Sequence, residues 1–284
     1  MTRSKLLGLL RLFRFELPFS AGICVILGQL LAARALPPVA KVALGFLSIF
    51  FLSATALILN DYFDFEVDRV NAPERPLPSG QVTRPEALVL SFIVAALGLT
   101  CAGLLGTIPL LVAAIVWLIG VAYNWRLKRT GLPGNLLVAV SVGSTFVYGG
   151  VIAGHPRDPI VWWFGLLALL FDLAEEILAD ALDVEGDRRI GSRSLGIVLG
   201  PRNALRVGAG VFALVIAVSL VPFLRGWLDP VDLVPILLMD AVILFGVARL
   251  LTPGVRHPRR YIRAIYLGGS ASILLFVLLR WIRH

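Results

Sequence analysis

The stretch "NDYFDFEVDR" packs acids into the end of a long apolar run. On a helix, Asn60, Asp64 and Asp68 are spaced i, i+4, i+8, and with Asp61 they fall within an arc of roughly 100°. Glu66 lies off that face. A second cluster, "FDLAEEILADALDVEGDRR", repeats the pattern. Glu176, Asp180, Asp183 and Asp187 are spaced i, i+4, i+7, i+11 and share an arc of roughly 60°, with Gly186 placed to end or loosen the helix before Asp187. Carboxylates stacked on one face repel one another, and at a membrane interface a desolvation cost is added. Something cationic must offset this. Hard oxygen donors suit Mg2+, which takes one or two carboxylates together with substrate phosphates. Neither cluster has a neighbouring His or Cys, which argues against zinc. Solvated helix ends would explain one such cluster; two matched ones on the same side of a membrane point to a site.

Cations able to meet phosphate oxygens stand nearby: Arg75 in "NAPERPLPSG", Arg126, Lys128 and Arg129 in "YNWRLKRTG", and Arg188, Arg189 and Arg193 after the second cluster. The same residues also serve as topogenic charges.

The helices that must position these groups follow from composition. Hydrophobic residues make up 58% of the 284 and charged residues only 15%, with a mean hydropathy of +0.88. A soluble domain carries about 25% charged residues, so the chain is an all-α polytopic membrane protein. Spans of roughly 20 apolar residues are expected near 17–35, 39–60, 85–104, 107–125, 134–153, 159–180, 203–224, 230–250 and 262–281. Nine spans form one transmembrane domain over 1–284, leaving no room for a separate soluble domain. With the N-terminus inside, twenty of the 26 Lys and Arg fall in inner segments, as the positive-inside rule asks. Both acid clusters then lie on the cytoplasmic side, at the start of two long inner loops near 61–84 and 181–202. These loops begin about 120 residues apart, which hints at a repeat of helical hairpins. The net charge of +8 therefore reflects topology and gives no reason to expect nucleic acid. No obligate protein partner is evident. Cys24 and Cys101 sit within apolar runs as small core residues. The N-terminal "MTRSKLLGLLRLFRFELPFSAG" has no cleavable signal pattern and reads as an amphipathic surface helix leading into the first span. With no transit peptide evident, a prokaryotic plasma membrane is the expected location.

"NDYFDFEVDRVNAPERPLPSG" resembles the first Asp-rich motif of the UbiA-type intramembrane prenyltransferases, and "DALDVEGDRRIGSRSLGIVLG" resembles the second. The nine spans and a Tyr-containing basic loop extend the resemblance over almost the whole chain. It implies a transferase that binds an isoprenyl diphosphate through Mg2+ and joins the prenyl carbon to an acceptor. By position, Asn60, Asp64 and Asp68 would hold one Mg2+ and Asp183 and Asp187 a second, with Asp61 and Asp180 as supporting carboxylates. Arg75, Tyr123, Arg126, Lys128 and Arg188 would meet the diphosphate. Trp117, Phe146, Tyr148, Trp162, Trp163 and Phe164 could wall a dry cavity around the allylic cation.

"RPLPSG" and "VEGDRRIG" look most like the branch holding chlorophyll synthase and the digeranylgeranylglyceryl phosphate synthases. This favours geranylgeranylglyceryl phosphate as acceptor, with an aromatic quinone or chlorophyll-type precursor as the alternative. Glu175-Glu176 departs from that branch, where Arg-Glu is expected. A CDP-alcohol phosphotransferase would carry all its acids in one D-G-x-x-A-R segment, which is absent here. A transporter would place ionisable groups near mid-membrane. Asp240, in "LLMDAVIL", is the main such residue, and it reads as an acid hydrogen-bonded within the bundle.

Overall fold

The computed structural model describes residues 3–33, 36–189 and 191–283 and is helical, with no strand among them. A chain crossing lipid must satisfy its backbone polar groups internally, and the helix does so within one segment. In chain order the elements are α1 (Arg3–Leu12), α2 (Glu16–Ala33), α3 (Val39–Phe63), α4 (Phe65–Asn71), α5 (Arg84–Leu105), α6 (Thr107–Trp125), α7 (Leu132–Ala153) and α8 (Pro159–Leu182). They continue with α9 (Val184–Arg189), α10 (Leu195–Val198), α11 (Pro201–Ser219), α12 (Val221–Leu224), α13 (Leu233–Leu251) and α14 (Arg259–Arg283). Local signals set the boundaries. Pro occupies the first turn of α5, α7, α8 and α11, where its missing N–H costs nothing. The Asp158 carboxylate accepts from Ile160 N–H at 3.0 Å and caps α8.

Among the described residues, eight helical stretches are long and apolar enough to cross a membrane. The expected sixth span, α8, is 24 residues long, but Asp172, Glu175, Glu176 and Asp180 set it apart by composition. The bundle forms a ring. α2 packs on α3, α7 and α14; α3 on α5 and α6; α7 on α8; α8 on α11; and α13 on α14, which closes the circle. Large apolar side chains point outward, as Phe92 (63% exposed), Leu104 (70%) and Ile108 (66%) show. An apolar surface of this kind needs a lipid solvent.

The two long inner segments are partly helical and docked. Leu77 and Val82 join Leu12 of α1 and Ile58 of α3 in one buried cluster. That cluster holds α1 against the bundle, while Leu6, Leu7 and Leu10 stay exposed, as an interfacial helix requires. Arg193 N–H donates to the Arg129 carbonyl (3.1 Å), tying the second segment to the loop after α6.

α7 sits at the centre of the close packing. A Cβ on Gly143 would meet the Gly165 carbonyl of α8 at 2.5 Å, and one on Gly149 would meet the Val25 carbonyl of α2 at 2.5 Å. Backbone on both sides leaves nothing to yield. Gly149→Val is expected to cost about 1–3 kcal/mol by overpacking, read as a lowered melting temperature in detergent; an unchanged melting temperature would refute this account.

Candidate active site

Each acid motif sits where a long helix passes into a short one. Asp64 lies between α3 and α4, and Asp183 lies between α8 and α9. The backbone bonding is the same at both: Asp64 N–H to Asn60 O and Asp68 N–H to Asp64 O, then Asp183 N–H to Ala179 O and Asp187 N–H to Asp183 O. α9 runs through Gly186 without ending there.

Both motifs face one cavity of about 690 Å³ inside the ring. Asn60, Tyr123, Lys128 and Asp183 line its polar end. Lys128 Nζ bonds the Asp64 carboxylate. The Asn60 amide lies 3.0 Å from Lys128 Nζ, 3.1 Å from Asn124 Oδ1 and 3.3 Å from Asp64 Oδ2. Asn124 is fixed by donating to the carbonyls of Ala56 (2.9 Å) and Gly120 (3.1 Å).

Behind this face, Asp61 and Asp68 are 3% and 5% exposed. Arg14 bonds Asp61, and Arg75 Nη1 donates to both oxygens of Asp68 at 2.7 Å. Burial works against the Arg75 charge, but the bond to Asp68 and the charges of Asp68, Asp61 and Asp64 together outweigh it and hold the guanidinium above its ordinary pKa.

At the second motif, Asp180 accepts from Asn135 Nδ2 (2.9 Å) and from Leu195 N–H (3.3 Å). It thus anchors the inner segment. Asp183 is bonded by Arg259 of α14. Burial lifts the Asp183 pKa above the ordinary carboxylate value, Arg259 draws it back and Asp187 adds to the rise. Asp187 Oδ2 is buried without a partner.

The structure separates the cations that the sequence left together. Lys128 faces the cavity. Arg126 is exposed and stacks on Trp125, 4.9 Å from its ring centre. Arg188 is exposed too and does not line the cavity. The aromatic set also divides. Trp117, Phe146 and Phe164 line the cavity, whereas Trp162 is 57% exposed, Tyr148 hydrogen-bonds Ser48 and the Trp163 Nε1–H points to Val218 O. Phe164 packs between Phe146 (tilted, 5.7 Å) and Phe276 (edge-to-face, 5.5 Å). This floor lies nineteen residues before Asp183, about 28 Å along α8. Asp240 accepts from Ser219 Oγ at 3.0 Å, as a bundle acid should.

Sequence reasoning missed Arg14, Arg259, Asn124 and Asn135. Arg14 carries a signal visible only in three dimensions: at φ 43° it forms the corner between α1 and α2 and turns its guanidinium into the cavity mouth.

A ring of membrane helices around a chamber, apolar at depth and ringed by paired acids and cations at one end, is the architecture of an intramembrane prenyltransferase. The chain belongs to the UbiA prenyltransferase family, which matches residues 21–278. It is 40% identical over 227 residues to the digeranylgeranylglyceryl phosphate synthase of Methanopyrus kandleri, covering 80% of this chain and 82% of that one. A solved structure described as giving structural and mechanistic insights into digeranylgeranylglyceryl phosphate synthase in membranes superposes with a TM-score of 0.75 at 29% identity, covering 96% of this chain and 98% of that chain. A UbiA homolog from Archaeoglobus fulgidus, solved with GPP and Mg2+, shares the fold at 22% identity (TM-score 0.72), covering 96% of this chain and 99% of that one.

Removing Arg75 leaves Asp68 buried and unpaired. Arg75→Ala is expected to cost about 3 kcal/mol, read as a fall in melting temperature, whereas Arg69→Ala, whose partner Glu66 is exposed, should cost under about 1 kcal/mol. Equal effects of the two would contradict the assigned partners.

Proposed function

We propose that the protein transfers an isoprenyl group from a polyprenyl diphosphate to geranylgeranylglyceryl phosphate, using Mg2+ and opening to the cytoplasmic face of a prokaryotic plasma membrane. The observation that carries the reading is the convergence of Asn60, Lys128 and Asp183 on the mouth of a chamber whose depth is aromatic and apolar, with Asp64 bonded to Lys128. A diphosphate belongs at the mouth and a prenyl tail in the depth. The names of the relatives support the acceptor, and the GPP and Mg2+ of the Archaeoglobus homolog support the donor and the metal. The charge distribution supports the orientation.

The donor set fits magnesium. Every candidate ligand is an oxygen, and Asp187 offers one that is buried without a partner. Among the described residues no three acids, His or Cys converge tightly enough to hold an ion unaided. That suits a metal arriving with diphosphate oxygens in its shell. Asn60, Asp64 and Asp68 would hold one ion, and Asp183 and Asp187 the other. Bound there, Mg2+ would stabilise the charge that collects on the departing diphosphate. Lys128 adds a point charge on the same side. Below it, the Phe146–Phe164–Phe276 floor keeps water from the allylic carbon.

One observation favours a second acceptor class. Glu175 lines the cavity where resemblance to the glyceryl phosphate branch leads one to expect Arg, and a carboxylate there suits an acceptor without phosphate, such as an aromatic quinone precursor.

Purified protein given geranylgeranyl diphosphate, Mg2+ and a panel of geranylgeranylglyceryl phosphate, 4-hydroxybenzoate, homogentisate and a naphthoate should release diphosphate and form one prenylated product. EDTA should abolish both. Asp64→Ala and Asp183→Ala should lower turnover at least ~1,000-fold with the melting temperature kept. Near-normal turnover in either variant would overturn the metal assignment. Lys128→Ala should raise KM for the diphosphate by tenfold or more, while Arg126→Ala should stay within about twofold; the reverse order would reassign the phosphate contact.

A further inference from the structure

Below the mouth, three carboxylates line the cavity from one face of α8: Asp172, Glu175 and Glu176. No hydrogen bond or ion pair reaches any of them among the described residues, unlike Asp61, Asp64, Asp68 and Asp183 above. They are partly buried and line the chamber. Asp172 Oδ2 is wholly buried and unpartnered, and so, on α6, is Nε1 of the cavity-lining Trp117. A buried acceptor and a buried donor left open along one cavity carry a standing desolvation cost. A polar ligand group entering there would relieve it.

The depth matches the chemistry. Glu176 lies seven residues before Asp183, about 10 Å along α8, and shares the electrostatic field of Lys128, Asp180 and Asp183. With a diphosphate at the mouth and its tail on the aromatic floor, the first prenyl carbon falls between the mouth and these acids, of which Glu176 is the nearest. An acceptor oxygen attacking that carbon has to lose a proton there, away from bulk water. Glu175 lies on the α14 side, near Tyr266, which is hydrogen-bonded to Ser20 at 3.0 Å.

We propose that Asp172, Glu175 and Glu176 form an acceptor subsite selecting a free hydroxyl, and that Glu176 takes its proton. This rests on the prenyl-transfer reading above. In the step, the hydroxyl oxygen forms a bond to the allylic carbon and the bond from that carbon to the diphosphate breaks. The electron pair leaves with the diphosphate, and the hydroxyl proton passes to the Glu176 carboxylate. A positioned base of this kind is worth about 10²–10⁴ in rate.

The test compares binding with turnover. Geranylgeranylglyceryl phosphate and its O-methyl ether, blocked at the free glyceryl hydroxyl, are titrated into protein in detergent micelles without diphosphate or metal. Wild type should bind the alcohol at least tenfold more tightly than the ether, and Glu176→Leu should lose the preference. Glu176→Gln can still accept a hydrogen bond but cannot take the proton; it should keep the preference and lose product formation at least 100-fold. Equal binding of alcohol and ether by wild type, or Glu176→Gln turnover within threefold of wild type, would overturn the subsite while leaving the transferase reading intact. If wild type prefers the free hydroxyl but makes no product from any acceptor, hydroxyl selection stands, and the transferase reading falls together with the proton role of Glu176.

Discussion

Uncompensated negative charge beside a membrane-buried chamber is what the rest of the molecule has to manage. Asp61 and Asp68 are buried, Asp183 faces a cavity with a low-dielectric floor, and Asp64 is bonded to the cavity-lining Lys128. In such surroundings a lone carboxylate is costly, and a paired one persists only with good geometry. Each of the four meets a cation, and three of those cations come from far along the chain. Arg14 reaches Asp61 across 47 residues, Lys128 reaches Asp64 across 64, and Arg259 reaches Asp183 across 76. The corner before α2, the loop after α6 and the start of α14 are thereby drawn to one end of the bundle. Charge neutralisation and ring closure depend on each other: α14 packs on α2 and α8 while its first turn bonds the acid at the end of α8.

The same cations give the mouth its chemistry. Lys128 and Arg14 line the cavity as well as pairing with acids, so an anion entering there meets positive groups already held in place by carboxylates. Aromatic packing sets the other end. Phe146, Phe164 and Phe276 come from α7, α8 and α14, and their edge and tilted contacts close the floor between three helices that also carry polar groups at the mouth. One set of helices thus fixes both the anion end and the dry end, and the distance between them follows from helix rise alone.

Much of this was legible in the sequence because membrane helices leave so few options. Apolar run length gave the elements, and the fourfold spacing of Asn60, Asp64 and Asp68 gave a shared face. What could not be read was which cation serves which acid. Arg126 and Lys128 differ by two residues in sequence and by their orientation at the end of α6, where a 3-10 turn over Leu127–Thr130 sends Lys128 inward and leaves Arg126 on Trp125. Arg14 and Arg259 looked like topogenic charges, since their partners are 47 and 76 residues away. Period alone misses such pairings, because they arise from closure of the ring. The α8 helix shows a related limit: run length placed a span there, but not that Asp172, Glu175 and Glu176, which interrupt the run, line the cavity and need no solvent-facing side.

The two motifs are built alike and compensated differently, which bears on how the halves of the site divide the work. Both place an Asp at the junction of a long and a short helix with the same backbone bonds. The first is surrounded by Arg14, Arg75 and Lys128; the second has Arg259 at its rim and three unpaired acids beneath. A symmetric donor site would have no use for that excess. Anion binding favours the α3 side, where cations outnumber free carboxylates. The α8 side has spare proton-accepting and hydrogen-bonding capacity, which an incoming hydroxyl can use. On the proposed reading, the diphosphate sits across the mouth between the two motifs, and the acceptor hydroxyl is received below it along α8.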